Sequence, residues 1–192
     1  YKEAGSALTF RYIGQLHNSY LLCASDSGLV VIDQHAAHER LIFETLKKQY
    51  TSRKMTGQAL LFPEVIECTP EQEHILKSYQ EEIRNLGIDI GEFGGNSYVI
   101  KAIPAILSHI GPLEVVHGVF DRYLASDMKT KGAPTGIDDI LSLMACKAAV
   151  KANHELLPVE GSELLKKMEE ADIFSHCPHG RPVMIRFSRS DI

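Results

Sequence analysis

From Leu8 to Ile32 apolar and polar residues alternate with short interruptions. The runs TFRYIGQL and YLLCAS flank the turn-prone pair His17-Asn18, and Ser25-Asp26-Ser27-Gly28 separates the second run from LVVID. A period of two bounded by turn residues predicts three strands. The pattern then lengthens: Leu41, Phe43 and Leu46 supply the apolar contacts of a helix from about Ala36 to Tyr50. This order puts Asp33, Gln34 and His35 at the C-terminal end of a strand, where sites gather in α/β sheets.

Tyr50 to Gly57 is polar and reads as a linker. Thr69 as N-cap, Pro70 at the first helical position and Gln72 three residues after the cap open a second helix. Its stripe is Ile75, Leu76, Tyr79, Ile83 and Leu86, and Gly87 ends it. IDIGEF and SYVIKAI then form a hairpin around Gly94-Gly95-Asn96. Leu113 to Ala125 predicts a further helix, and Met128 to Gly136 a loop. Thr135 and Asp138 are placed to cap the next helix, striped by Ile137, Ile140, Leu141, Met144, Ala148 and Ala152. A shorter helix opens at Gly161-Ser162 and ends near Asp172, and VMIRF is a final strand. The fold class is therefore α/β (α+β), with two subdomains. Residues 1–54 and 137–192 form one, and 55–136, with its own helix and hairpin, is inserted into it.

The 192 residues can bury a sizeable core, and 44% hydrophobic with 23% charged residues is ordinary for a globular chain. No apolar run approaches the roughly 18 residues that span a bilayer, and YKEAGSALTF has no signal-peptide pattern. Without an initiator Met, the chain reads as a fragment of something longer. Cys23, Cys68, Cys146 and Cys177 are far apart and form no CxxC pair, which suits reduced thiols better than a disulfide framework. Cys23, within YLLCA, and Cys68 are expected in the core. A net charge of −5 argues against a stand-alone nucleic-acid binder, so any grip on DNA must be weak, metal-assisted or shared.

Three motifs carry chemistry. Asp33-Gln34-His35-Ala36-Ala37-His38-Glu39-Arg40 places His35 and Glu39 four apart, on one face of a helix that contains both. Imidazole and carboxylate at that spacing can bind a divalent cation; the alternative is an ordinary helix N-terminus. HxxHE matches neither HExxH nor HxxEH, which sets a metalloprotease aside. In Cys177-Pro178-His179-Gly180-Arg181-Pro182, Pro178 biases Cys177 toward extended backbone, where residues two apart point the same way. Thiolate and imidazole then suit zinc, and Arg181 suits a phosphate; the alternative is a tight turn with a buried Cys. The third motif is Ala145-Cys146-Lys147; taken alone, its Cys146 reads as a core residue. Separately, Gln58-Ala59-Leu60-Leu61-Phe62-Pro63 offers an amide and clustered apolar side chains, suited to an apolar groove, or else it is a plain strand.

Together these stretches resemble the C-terminal endonuclease and dimerisation domain of the MutL family of DNA mismatch-repair proteins. The family's DQHA-x2-E-x4-E motif matches Asp33 through Glu39 to Glu44, its A-C-[RK] motif matches Ala145 to Lys147, and its C-P-H-G-R-P motif matches Cys177 to Pro182. FSRSDI resembles the last family element only loosely. The resemblance implies a homodimer whose interface lies in the first strands and the last helical segment. It also implies DNA nicking by a metal-activated water, with Asp33, His35 and Glu39 catalytic and His35, Glu39, Cys146, Cys177 and His179 as ligands to Zn2+ and Mn2+. No nucleotide is expected. The Gln58, Leu60, Leu61 and Pro63 peptide resembles the segment that docks on the replication sliding clamp. Further expected partners are DNA, the mismatch-recognition protein MutS and the N-terminal ATPase domain, in the bacterial cytoplasm at the nucleoid. The rival reading is a non-catalytic dimerisation module with a structural zinc; retention of the DQHA motif favours the enzyme.

Overall fold

A computed structural model describes residues 10–129, 136–149, 155–171, 173 and 182–191. Contacts divide the chain into two compact units, Tyr1–Glu44 with Ala149–Ile192, and Thr45–Ala148. The architecture is mixed α/β with two wholly antiparallel sheets.

In the first unit β1 (Arg11–Leu16), β2 (Tyr20–Ser25) and β3 (Gly28–Asp33) follow one another across a sheet, and β7 (Met184–Ser188) joins β3 to give the order β1-β2-β3-β7. His17 and Asn18, at φ 51° and 49°, turn β1 into β2. Gly28, at φ +148°, is required for the last pairing: a Cβ there would stand 2.1 Å from the carbonyl oxygen of Phe187. Alternation buries Leu21, Cys23, Val30 and Ile32 completely on one face. Against that face pack Ala36 and Ala37 of α1 (Gln34–Thr51), Leu164, Leu165 and Met168 of α6 (Pro158–Glu170), and Val183. Each large aliphatic chain removed from water in this way contributes about 1.5–3 kcal/mol. α6 begins at Pro158, earlier than Gly161; Gly161 instead lies under the Tyr12 ring, whose carbons would be 2.7 Å from a Cβ.

The second unit contains β4 (Gly57–Glu67), α2 (Pro70–Ser78), α3 (Gln80–Asn85), β5 (Asp89–Gly94), β6 (Ser97–Pro104), α4 (Pro112–Lys129) and α5 (Ile137–Ala148), with sheet order β4-β6-β5. The linker predicted before β4 is shorter than Tyr50 to Gly57, because α1 continues to Thr51. Thr69 caps α2 as predicted: its Oγ1 accepts from the Gln72 N–H, and the Gln72 side chain accepts from the Thr69 N–H. The single helix expected to Leu86 is divided at Tyr79 (φ −115°, ψ 24°), whose ring lies 4.6 Å from that of Tyr123. Periodicity cannot register this break, since Ile75, Leu76, Ile83 and Leu86 are all buried on either side of it. Tyr123 donates to Glu82 at 3.2 Å, and burial with the Glu82 charge pushes its phenol above the usual tyrosine range. β4 pairs with β6 in two registers: Ala59 faces Ala102, and Glu64 faces Ile100. Leu60 to Pro63 thus occupy a stretch that β6 spans with Lys101 alone, and they form a wide bulge.

Among the described residues no helix is long and apolar enough to cross a membrane. The Thr135 cap and Ala152 lie outside the described residues.

Candidate metal centre

β3 passes into α1 without a loop, and backbone hydrogen bonds fix the junction. The Asp33 N–H donates to the Val183 carbonyl and the Gln34 N–H to that of Ser19, each at 2.9 Å. Asp33 Oδ1 accepts from the Ala36 N–H at 2.9 Å, so this carboxylate caps the helix. Gln34, only 2% exposed, accepts from Gln15 Nε2; Gln15 Oε1 in turn accepts from the Leu156 N–H at 3.1 Å. Sequence reading missed both glutamines as supports of the junction. Gln34 was signalled by its place beside Asp33, but Gln15 was not, because a polar residue in an alternating strand reads as solvent-facing.

His35 and Glu39 both lie within α1, so their spacing of four puts them on one face. His35 is half-buried and Glu39 is 4% exposed. A carboxylate taken this far from water needs strong compensation, and a divalent cation is one form of it. Glu44, the last acidic residue of the first motif, pairs with Arg40 at 2.6 Å.

The Cys177–Pro182 motif reaches the same junction through β7. Antiparallel pairing of Ile32 with Met184, continued by the Asp33 to Val183 bond, seats the end of CPHGRP beside the start of DQHA. Cys177, His179 and Arg181 themselves lie outside the described residues. Cys146 belongs to the second unit. It is exposed near the end of α5, contrary to the core residue expected from Ala145-Cys146-Lys147 alone, because the buried face of that helix is Ile140, Leu141, Met144 and Ala145. Among the described residues no three of His, Cys, Asp and Glu converge as a metal-holding group. The donor chemistry of His35 and Glu39 fits part of such a centre, a nitrogen and an oxygen on one helix face suited to zinc or manganese.

On the bulge of β4, Leu61 is 87% and Phe62 80% exposed, beside exposed Gln58 and Pro63 and a half-buried Leu60. Large apolar side chains held this far into solvent by a strand are unusual in a plain edge strand.

A family model described as the MutL C terminal dimerisation domain matches residues 13–156. The chain belongs to this family. It is 38% identical over 189 residues, 98% of its length, to the DNA mismatch repair protein MutL of Geobacter sp. strain M21. It is 37% identical over 98% of its length to the MutL protein of Citrifermentans bemidjiense, and 35% identical over its whole length to that of Geobacter sulfurreducens. The match covers 29%, 29% and 31% of those relatives respectively, so the chain corresponds to less than a third of each.

The thiols differ sharply in environment. Burial pushes the Cys23 thiol up from 9.0 to about 11, and burial with the nearby Glu73 charge raises Cys68, whereas Cys146 is open to solvent. A thiol reagent is expected to modify Cys146 in the native protein and to reach Cys23 and Cys68 only on unfolding; prompt native labelling of Cys23 would contradict the packing. Because the fold holds the protonated Cys23 thiol, its stabilising effect is intact below about pH 9 and is lost as pH rises through about 11. Urea midpoints measured from pH 8 to 11 should fall over that window, less steeply in Cys23→Ala.

Proposed function

We propose that this domain is a divalent-metal-dependent DNA-nicking endonuclease and the homodimerisation unit of a MutL-type mismatch-repair protein. The observation that supports it most is the β3–β7 pairing, which joins the end of the CPHGRP motif to the Asp33 end of DQHA. In this reading His35, Glu39, Cys146, Cys177 and His179 hold Zn2+ and Mn2+. A bound cation would lower the pKa of a water and take up charge on the phosphodiester. Asp33 sets the direction of the first turn of α1 through its cap and so aims His35 and Glu39. Arg181 contacts a phosphate oxygen. The experiment is nicking of supercoiled plasmid with manganese and after metal removal by a chelator; equal nicking in both would eliminate the metal mechanism.

The dimer surface is the solvent side of the first sheet. Register places Leu22, Val31 and Ile185 in one row across three strands, and Ala24, Leu29 and Phe187 in a second. Ile185 is 56% and Phe187 39% exposed, and Ile13 on β1 is 54% exposed. Leu157 and Val159 at the start of α6 extend the apolar surface of the same unit. A second copy covering these rows removes a patch that a monomer would leave in water.

The β4 bulge supplies the recruitment peptide for the replication sliding clamp, with Gln58 for hydrogen bonding and Leu60, Leu61 and Pro63 for the pocket. Recruitment answers the acidic balance of −5: partners, including MutS and the N-terminal ATPase domain, supply the hold on DNA that this domain lacks. The setting is the bacterial cytoplasm, at the nucleoid. Gln58→Ala with Leu61→Ala is expected to weaken clamp binding about tenfold or more, with dimerisation intact. Titration calorimetry against the purified clamp checks this, and an unchanged affinity would remove the bulge from the recruitment scheme.

A further inference from the structure

We propose that the outer edge of β5 is a docking site for an extended segment of a partner protein, one that carries an apolar and a basic side chain two positions apart. The site lies on the edge of the second sheet opposite to β4, so it goes beyond the recruitment peptide on the β4 bulge.

β5 is an edge strand, since the sheet runs β4-β6-β5. Its main-chain bonds are those to β6; among the described residues no other backbone group bonds to residues 89–94. A strand directs its N–H and C=O groups alternately to its two sides, so the outer side of β5 keeps donors and acceptors that an added strand can use. Register shifts lie between Asp89 and Ile90 and between Glu92 and Gly94, which leaves Ile90, Gly91 and Glu92 as the regularly paired stretch. An added strand therefore finds three residues in register, and its specificity has to come from a short motif.

The side chains beside that stretch define the motif. Ile90 faces Ile100 and Glu92 faces Tyr98, so Ile90 and Glu92 point to the same side of the sheet as two buried residues. On that side a cavity of about 150 Å3 lies between β5 and the helices α2 and α3, with Leu76, Ile83, Ile88, Ile90 and Tyr98 as its apolar lining. A cavity of that size takes a group as large as benzene, which suits one large apolar side chain. The charged lining decides the neighbour of that anchor. Its cations, Lys77 and Arg84, are already paired within the helices, with Glu73 at 3.3 Å and Glu81 at 3.1 Å. Lys77 is pushed up chiefly by its hydrogen bond to Glu73 and least by the charge of Glu92. The strand-side carboxylates, Asp89 and Glu92, are exposed and make no ion pair among the described residues. A strand added beside Ile90 and Glu92 sets an apolar residue at the cavity and, two positions along, a second residue beside the Glu92 carboxylate. A lysine or arginine there meets an opposite charge, and an acidic residue meets a like one. Main-chain bonds supply the attachment, while the cavity and Glu92 select the sequence.

The test follows the backbone amide shifts of the isotope-labelled protein by NMR as short acetylated and amidated peptides are added. The panel sets leucine, isoleucine, methionine or phenylalanine two positions from lysine, in either order, in a serine and threonine background. At least one peptide should shift Ile90, Gly91 and Glu92 saturably; a panel that leaves these amides unmoved overturns the proposal. Exchanging lysine for glutamate in the binding peptide should weaken it about tenfold, and Glu92→Lys should reverse that preference. Glu92 is exposed, so the variant should melt with the wild type. Equal affinity for both peptides in wild type and variant would overturn the selection by charge. Methylation of the peptide nitrogens one at a time should abolish binding at alternate positions only, since an added strand bonds through every second residue. Tolerance of methylation at every position would show docking by side chains alone and overturn strand addition.

Discussion

Replacing Glu39 with alanine is expected to lower manganese-supported nicking of supercoiled plasmid by more than about 100-fold, because a catalytic cation contributes several kcal/mol and each 1.4 kcal/mol is tenfold in rate. Glu39 is 4% exposed on the first turns of α1, one helical turn from His35. A hydrophobic or small residue would occupy that position at no electrostatic expense, so a buried carboxylate there points to a demand from chemistry rather than from packing. The substitution removes that charge and leaves Asp33 capping the helix and Ala36 and Ala37 packed on the sheet. The variant should therefore remain folded and dimeric. Circular dichroism and analytical ultracentrifugation establish that, and gel quantification of nicked circles gives the rate. A folded, dimeric variant that nicks at the wild-type rate would remove Glu39 from the mechanism.

Ile185→Glu is the second large effect: it is expected to raise the dimer dissociation constant by about a thousandfold, since an unpaired charge buried at an interface costs several kcal/mol. Ile185 is 56% exposed on β7 and faces Val31, which pairs onward with Leu22. In a two-fold symmetric dimer the change occurs twice, once from each copy, which compounds the penalty. The isolated unit should tolerate it, because the core lies on the opposite face of the sheet with Leu21, Cys23, Val30 and Ile32. Sedimentation equilibrium of the variant against wild type reads the constant, with a urea melt as the folding control. A dimer of unchanged affinity would move the interface off this sheet face.

Much of the local structure was legible because it depends on neighbours in sequence. The alternation through β1, β2 and β3, the Thr69 to Gln72 capping box, and the Gly95-Asn96 turn between β5 and β6 each follow from residues a few positions apart. The three motifs were legible for the same reason, and with the family match they establish membership of the MutL C-terminal dimerisation domain family. The division at Tyr79 was not legible, since it coincides with a ring contact to Tyr123, 44 positions away. The bulge in β4 was not legible either. LLFP is a continuous apolar run that fits a buried strand as well as a bulge, and only its register against β6 reveals four residues opposite one.

For the candidate site the boundary falls in the same place. By itself the sequence determined which donors exist, that His35 and Glu39 share a helix face, and that the chain carries a net charge of −5. Tertiary structure decided the rest. Pairing of β7 with β3, admitted by the missing side chain of Gly28, brings the end of the CPHGRP motif to the DQHA motif across some 150 residues of chain. It turned Cys146 outward, because four other residues of α5 take the buried face, and it gave Gln15 and Gln34 a supporting role. Periodicity specifies which face of an element is apolar; which elements meet, and in what register, depends on packing between residues far apart in the chain.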